Sequence, residues 1–297
     1  MSRKAKKNNH EVARAFLNRW ATDHGFDTPQ LAMLDARTGE VQTRSIKAGF
    51  AIGKYLYVPK IDGEHDDRVE DWFGTAEQAL VEFLRRNDAR DFSAMTHQQW
   101  VYIVYGLVGL AHRGAHDVAK LRAAVKADKS LQKKFNTSVN DHAIHHAVVE
   151  NVVNRINRDV YRLLGGTLTI LTDCTKEVLV CDRPAICWAM GENSTLLVPL
   201  GPSTLAVIGR ESDGVPVKII SEAEHGVDSA KFVDMLNSFT IKRARRWVVG
   251  RDPAILKNIA ATVVQNAAEA DEPVFYERIS DEERDLLWSF GHEPPEE

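Results

Sequence analysis

The strongest constraint on the fold of this sequence is that helical and strand-like segments are segregated along the chain. As far as Gly165-Gly166, most apolar residues recur at helical spacings of three and four. From Thr167 the pattern changes to short β-rich runs separated by turn residues. Segregated runs of this kind are typical of α+β proteins and not of a doubly wound parallel sheet. We therefore predict a mostly helical α+β fold with a central antiparallel β meander and a small N-terminal β hairpin.

The individual elements are predicted from periodicity and from end signals. The longest predicted helix covers 141–164 and ends at the two glycines, as a helix C-terminus prefers. Further helices are predicted at 11–20, 69–86, 100–111, 118–135 and 228–249, with two more starting at Asp252-Pro253 and Ser280. The hairpin is predicted from 31–35 and 40–44 around Gly39, and the meander from 167–172, 177–181, 196–200 and 204–209.

These segments are expected to form a single domain over 1–297. Its parts are a β hairpin plus helices in 1–95, helices in 96–165, the meander in 166–223 and C-terminal helices in 224–297. The net charge of −4 argues against a globally basic nucleic-acid binder but leaves room for a local basic patch. Three cysteines without CxxC spacing are expected to be buried free thiols in a reducing compartment.

Targeting and membrane signals are weak in this sequence. The basic segment 2–9 is not followed by the apolar stretch that a signal peptide requires. No window approaches the roughly 18 uninterrupted apolar residues of a membrane-spanning helix. We therefore expect a cytoplasmic protein with no membrane partner.

Several separated stretches resemble the pattern of one bacterial family. Residues 9–17 resemble the family opening "His-x-Val-Pro-x-x-Tyr-Leu". Residues 179–184 resemble its "Thr-Ser-Asp-Asn-Pro" core, and 198–202 its following "Pro-Leu-Ser-Pro". Asn237 with Ala244-Arg245 resembles its last "Asn…Ala-x-Arg" segment. On these motifs the chain resembles the bacterial domain-of-unknown-function family 4238 over roughly residues 9–250.

The chain departs from that pattern at three positions. Ala13 replaces the opening proline, and Cys181 and Arg183 replace the serine and asparagine that flank Asp182. The resemblance implies a bacterial or phage-derived protein, sometimes encoded near mobile-element or defence genes. It implies no known reaction, and any chemistry that the replaced serine or asparagine carries in relatives is put in doubt here.

A catalytic set of His10, Asp182 and Asn237 is predicted from these motifs. Asp182 ends an apolar strand, where a carboxylate can serve as a general base or metal ligand, although an aspartate before proline also commonly caps a turn. His10 precedes a predicted helix, and its imidazole could exchange protons near neutral pH or form a helix-end hydrogen bond.

Local basic character points to a phosphate-bearing ligand. Arginines line the flank of the long helix, and basic residues cluster around Trp247, while 2–7 add a basic arm. Arginine forks bind phosphate oxygens in pairs, although a solvated helix face is the ordinary alternative. The residues predicted to contact the ligand are Arg14, Arg113, Arg183 and Arg245.

Histidines offer a further alternative, a site linked to a divalent metal. On a helix His142 and His145 project toward the apolar stripe with His146 on its flank, whereas Glu150 points nearly opposite. Two or three imidazoles bind a metal if a carboxylate joins them, but satisfied core histidines are the simpler interpretation. We therefore assign no metal ligands. His112 and His116 are one turn apart, but the glycine between them makes a continuous helix uncertain.

Two functions remain open at this point. In the first, His10 and Asp182 converge in a phosphoester-directed hydrolase, such as a nuclease-like effector, and arginines hold the phosphate. In the second, the chain is a non-catalytic module that binds nucleic acid or protein, and Asp182 and Asn237 form turns. No Walker loop, GxGxxG after a strand, HExxH or GxSxG motif favours a defined enzyme class.

Overall fold

The computed structural model of the protein confirms the α+β class. It describes residues 8–10, 12–22, 28–47, 50–61, 64–93, 95–137, 140–190, 193–209, 217–221 and 229–269. The basic arm 2–7 and the helix predicted to start at Ser280 lie outside these ranges. Within them, no helix combines the length and the apolar character needed to cross a bilayer.

Helices occupy the middle and the end of the described chain. They are α1 Arg14–Leu17 followed by a 3-10 turn Asn18–Trp20, α2 Arg68–Ala89, α3 His97–His112, α4 Ala115–Ala127, α5 Lys129–Lys134, α6 Asp141–Leu163, α7 Ser229–Arg243 and α8 Pro253–Glu269. Thr96 begins α3 with a capping box in which its hydroxyl accepts from the backbone of Gln99 and the Gln99 side chain accepts in return.

The strands are grouped in four small sheets. They are β1 Asn8–His10, β2 Gln30–Asp35, β3 Val41–Ser45, β4 Ile52–Lys54, β5 Lys60–Ile61, β6 Glu64–His65, β7 Thr167–Thr172, β8 Val180–Cys181, β9 Ile186–Met190, β10 Asn193–Gly201, β11 Thr204–Gly209, β12 Val217–Ser221 and β13 Trp247–Gly250. The two larger sheets have the orders β12-β7-β11-β10-β9 and β3-β2-β13-β8, while β1 pairs with β4 and β5 with β6.

The predicted hairpin is confirmed as β2 and β3, which pair antiparallel from Gln30 opposite Ser45 to Leu34 opposite Val41. Gly39 has a φ of +74°, a left-handed conformation that glycine adopts without steric cost. The Asp35 side chain stabilises the turn because its Oδ1 accepts hydrogen bonds from the backbone of Arg37 and Thr38.

The meander is confirmed for β7, β10 and β11, and its sheet is buried on both faces. Leu196 and Val198 belong to the large core shared with α3 and α6, whereas Leu197 packs into a second core with α7. This double burial explains the nearly continuous apolar runs, which an antiparallel sheet with one solvated face would not need. One edge departs from the meander pattern, because β12 runs parallel to β7.

Three predicted elements are wrong in their extent. The run 177–181 does not join the meander; only its last two residues form β8, which pairs with β13 in the other sheet. The helix predicted over 228–249 ends at Arg243, and Trp247–Gly250 instead forms β13 between β2 and β8. The helix predicted over 118–135 is divided at Asp128, whose carboxylate caps the start of α5.

Close packing of α2 on α3 requires a small residue at Gly106. A Cβ added there would lie 2.8 Å from the carbonyl oxygen of Ala76 and 3.2 Å from Cβ of Leu80. At this point the backbone of α3 therefore lies directly against the Ala76 carbonyl and the Leu80 side chain of α2. On its other side α3 packs beside α6 in the core.

Replacing Gly106 with alanine is expected to lower the free energy of unfolding by about 1–3 kcal/mol, because the added methyl group has no space. Gly74 in α2 is the matched control, since a Cβ there meets no atom within 4 Å. Gly74→Ala should raise stability by up to about 1 kcal/mol through helix propensity. Urea denaturation of both variants measures the difference, and equal effects would contradict this packing.

Candidate functional site

The connection between α3 and α4 places several charged side chains inside the protein. Gly114 separates the two helices in an extended conformation, so His112 and His116, for which the sequence left a continuous helix uncertain, lie on different helices. A Cβ at Gly114 would lie 2.7 Å from Oδ2 of Asp117 and 3.0 Å from Cγ of Arg183. Glycine is therefore required here by the close approach of two side chains. We call residues 112–117 the α3–α4 junction.

Asp117 forms a buried ion pair with Arg183, the residue that follows Asp182 at the end of β8. Nε of Arg183 lies 2.7 Å from Oδ2 of Asp117, and the two side chains are 1% and 4% exposed. A charge pair this far from water is sensitive to the loss of either partner, because the remaining charge would stay buried. The pair thus fixes α4 to the end of β8.

Asp182 is also buried and stabilises the turn between α7 and β13. Its Oδ1 accepts hydrogen bonds from the backbone N–H groups of Arg245 at 3.0 Å and Arg246 at 3.3 Å. Its Oδ2 has no hydrogen-bond partner among the described residues. Burial raises the pKa of this carboxyl, although the two N–H groups and Arg183 oppose the shift.

The raised pKa of Asp182 predicts the sign of a pH effect. The folded protein binds the carboxyl proton of Asp182 more tightly than the unfolded chain does. The protonated Asp182 therefore contributes fully to the free energy of unfolding below the ordinary pKa of 3.8. This contribution is lost as pH rises through the pKa of the folded state. Measured by urea denaturation at several pH values, the stability of the wild type should fall relative to that of Asp182→Asn as pH rises from about 4.

Asp141→Asn is a control with the opposite sign. The Lys126 ammonium, 2.8 Å away, lowers the pKa of Asp141, so the wild type should gain stability relative to this variant as pH rises through the acid range. A stability difference between the wild type and Asp182→Asn that does not change with pH would contradict the burial of an unpartnered carboxyl oxygen.

A partly exposed rim covers these buried charges. Arg245 is half-buried, and its Nη1 donates to the backbone oxygens of Lys242 at 2.8 Å and Ala244 at 2.9 Å. Burial and the nearby Arg183 guanidinium lower the pKa of Arg245. Burial lowers the pKa of the His116 imidazole. The nearby Asp117 charge raises this pKa and the Arg245 charge lowers it further.

The charged groups at this point form one set, which we call the junction cluster: His116, Asp117, Asp182, Arg183 and Arg245. The structure therefore brings together three of the predicted residues, which are Asp182, Arg183 and Arg245. The sequence prediction considered His116 only as a neighbour of His112, and it missed Asp117. The glycine between His112 and His116 was the available signal, because it marks a helix break at which side chains of the next turn can face inward.

Asn237 lies outside the junction cluster and has a structural contact on each side of its amide. Its Oδ1 accepts from the backbone of Leu179 at 2.8 Å, and its Nδ2 donates to the backbone oxygen of Glu177 at 2.8 Å. The amide thus pairs with the segment that leads into β8 as a neighbouring strand would. This geometry holds β8 against α7 and leaves no amide atom directed at the cluster.

The two other predicted arginines are separated from the cluster. Arg113 is buried at the junction, where its Nη1 lies 2.8 Å from Oε1 of Glu77 and its guanidinium carbon 4.0 Å from the centre of the Phe73 ring. The backbone oxygen of Arg113 also accepts from the hydroxyl of Tyr57. Arg14 is exposed on α1. Arg113 therefore has its contacts inside the core.

His10 is described only through its backbone, in β1 opposite Ile52 of β4. Close to that ribbon, Nη2 of Arg246 donates to the backbone oxygen of Phe50 at 3.1 Å. The Phe50 and Trp247 rings meet edge to face with centroids 5.2 Å apart. The β1–β4 ribbon thus follows directly on a segment that contacts the turn held by Asp182.

A group able to hold a metal ion lies elsewhere in the described chain, at His112, Asp159 and Cys187. Oδ2 of Asp159 lies 2.7 Å from Nε2 of His112 and 3.7 Å from Sγ of Cys187. Arginines 158 and 162 approach its other oxygen at 3.6 and 3.9 Å. Burial raises the pKa of the thiol and lowers that of the imidazole.

This arrangement is that of a buried hydrogen-bonded pair and not of a nucleophilic triad. The carboxylate lies between thiol and imidazole, whereas a triad needs the imidazole between the other two groups. Two guanidinium groups beside Asp159 also neutralise the charge that would attract a cation. We therefore assign no metal to it.

The three histidines of α6, His142, His145 and His146, lie in different environments from those that the sequence predicted. His142 is exposed, and His145 donates to the backbone oxygen of Leu56 at 3.1 Å, with its pKa lowered to about 4 by burial. His146 lies 3.8 Å from Glu150, so Glu150 is closer to this one histidine than the sequence predicted. Among the residues with described side chains, these three histidines do not converge on one metal position.

Comparison with known proteins places the junction cluster within a recognised sequence family. The profile of DUF4238, described as a protein of unknown function, matches residues 8–254. The chain belongs to the DUF4238 family. The match includes every member of the junction cluster and confirms the resemblance drawn from the separate motifs. No curated protein and no solved structure matches this DUF4238 member.

Proposed function

We propose that this DUF4238 member binds nucleic acid through a surface that we call the cationic turn. It consists of Lys242, Arg245 and Arg246, at the end of α7 and in the turn that follows, together with Lys120 of α4. The observation that carries this proposal is the position of Arg245. Its guanidinium lies near that of Arg183 and forms no ion pair with a carboxylate of the described residues. A half-buried cation that has no carboxylate partner gains more from a bound anion than a fully solvated cation does, because water screens the attraction less there.

The carboxylates near the cationic turn are already engaged. Asp117 pairs with Arg183, and Asp182 accepts from the backbone of the turn itself. Because backbone oxygens orient the Nη1 group of Arg245, its Nε and Nη2 groups stay available for a phosphate. Lys120 adds a second charge near His116. The excess of positive charge at this rim supports binding of a phosphate backbone.

Replacing Arg245 with glutamine is expected to weaken binding of a short nucleic acid about five-fold or more at low salt. The slope of log K against log salt should fall by roughly one, because one phosphate contact is lost. Fluorescence anisotropy across a salt series measures both quantities. Single-stranded and double-stranded DNA and RNA of the same length identify the preferred form.

Arg90→Gln is the matched control. It also removes one surface arginine, which lies 3.3 Å from Asp173 and away from the cationic turn, so the net charge of the two variants is equal. An equal loss of affinity in both variants would show that only net charge matters. If the parent protein binds none of these nucleic acids at low salt, the proposal fails.

A second candidate function, phosphoester hydrolysis, is favoured by His116. Its imidazole is half-buried and has a lowered pKa, and its Nε2, which is itself buried, has no hydrogen-bond partner in the described part of the chain. A neutral imidazole beside carboxylates can act as a general base. The same nucleic-acid samples, incubated with and without a divalent metal, reveal cleavage products, and cleavage that persists in His116→Gln, Asp182→Ala and His10→Ala would exclude these residues as its source.

A further inference from the structure

A polar pocket lies at the hairpin between β10 and β11, next to residues 198–202, which resemble the family's "Pro-Leu-Ser-Pro" segment. Its volume is about 330 Å³, within the range of small-molecule sites. Arg19 and Asn18 form one wall and Arg251, just after β13, forms another. The hairpin completes the pocket with the hydroxyl groups of Ser203 and Thr204.

The Nε–Nη2 edge of the Arg19 guanidinium lies beside Gly201 at the pocket, and this is the edge that can bind two oxygens of an anion. Its Nη1 pairs with the carboxylate of Asp88, which fixes the direction of the group. Its Nε and Nη2 lie 3.7 and 3.9 Å from the position that a Cβ would take at Gly201. The Nε–Nη2 edge is a fork that binds two oxygens of a phosphate at once. Because residue 201 is glycine, no Cβ at that position covers this edge of the guanidinium.

Arg251 supplies a second cation at the pocket. Its Nη2 donates to the backbone oxygen of Arg19 at 3.2 Å, and within the described chain no carboxylate forms an ion pair with its side chain. The nearby Glu177 carboxylate is engaged by two backbone N–H groups, those of Arg251 and Asp252. The Glu177 carboxylate therefore accepts hydrogen bonds at the start of α8, and hydrogen-bond donors outnumber carboxylates in the pocket.

We propose that this pocket binds the phosphate group of a small phosphorylated molecule. The fork of Arg19 and the guanidinium of Arg251 hold the phosphoryl oxygens. The hydroxyls of Ser203 and Thr204, which line the same pocket, donate to the same group. The site uses none of the arginines of the cationic turn, so it stands whether or not the chain binds nucleic acid.

Isothermal titration of the full chain with inorganic phosphate and with pyrophosphate at low ionic strength tests this site. We expect a Kd of about 1 mM or lower for at least one of these anions, and much weaker binding of acetate, which lacks the tetrahedral set of oxygens. Arg251→Gln should weaken phosphate binding about ten-fold or more. Ser203→Ala, a change at an exposed position that leaves the core intact, should weaken it about three-fold.

Arg85→Gln is the control variant for this experiment. It removes one exposed arginine of α2, which pairs with Glu82 outside both proposed sites, so it should bind phosphate as the wild type does. Arg251→Gln should leave nucleic-acid binding at the cationic turn unchanged. The proposal is overturned if the folded parent gives no binding heat at about 10 mM phosphate. It is also overturned if Arg251→Gln and Ser203→Ala both bind like the parent, or if Arg245→Gln alone loses binding.

Discussion

The buried ionic contacts of the α3–α4 junction are the constraint on which the rest of the structure depends. Three residues there hold three different parts of the chain. His112 is hydrogen-bonded to Asp159 of α6, Arg113 forms an ion pair with Glu77 of α2, and Asp117 forms one with Arg183 after β8. Each contact is satisfied only if the elements meet in one arrangement, since an unpaired buried charge costs several kcal/mol. The junction therefore fixes the helices and the four-stranded sheet β3-β2-β13-β8 relative to each other.

The same constraint explains the chemistry of the junction cluster. Arg183 and Asp117 neutralise each other in the core, and Asp182 is committed to the turn before β13. What is left near the surface is positive charge at Arg245 and a neutral imidazole at His116. Binding of an anion follows from that remainder more directly than catalysis does, because both carboxylates already have structural contacts.

Local sequence signals predicted much of the fold and a smaller part of the site. The ends of α3 and α6 and the β2–β3 hairpin follow from caps, periodicity and a turn glycine, all of which act within a few residues. The helix predicted over 228–249 includes Trp247–Val249, but pairing with β2 and β8 makes these residues a strand. The partners of Asp117 and Asn237 are distant in sequence, so no local pattern reveals them.

The most direct test of the central claim is a double-mutant cycle on Asp117 and Arg183. Asp117→Asn and Arg183→Met are each expected to lower the free energy of unfolding by about 3–5 kcal/mol, since each leaves a buried charge without its partner. The double variant should lose at least about 2 kcal/mol less than the sum, because the two contribute as a pair. Additive losses would contradict the dependence of the fold on this contact.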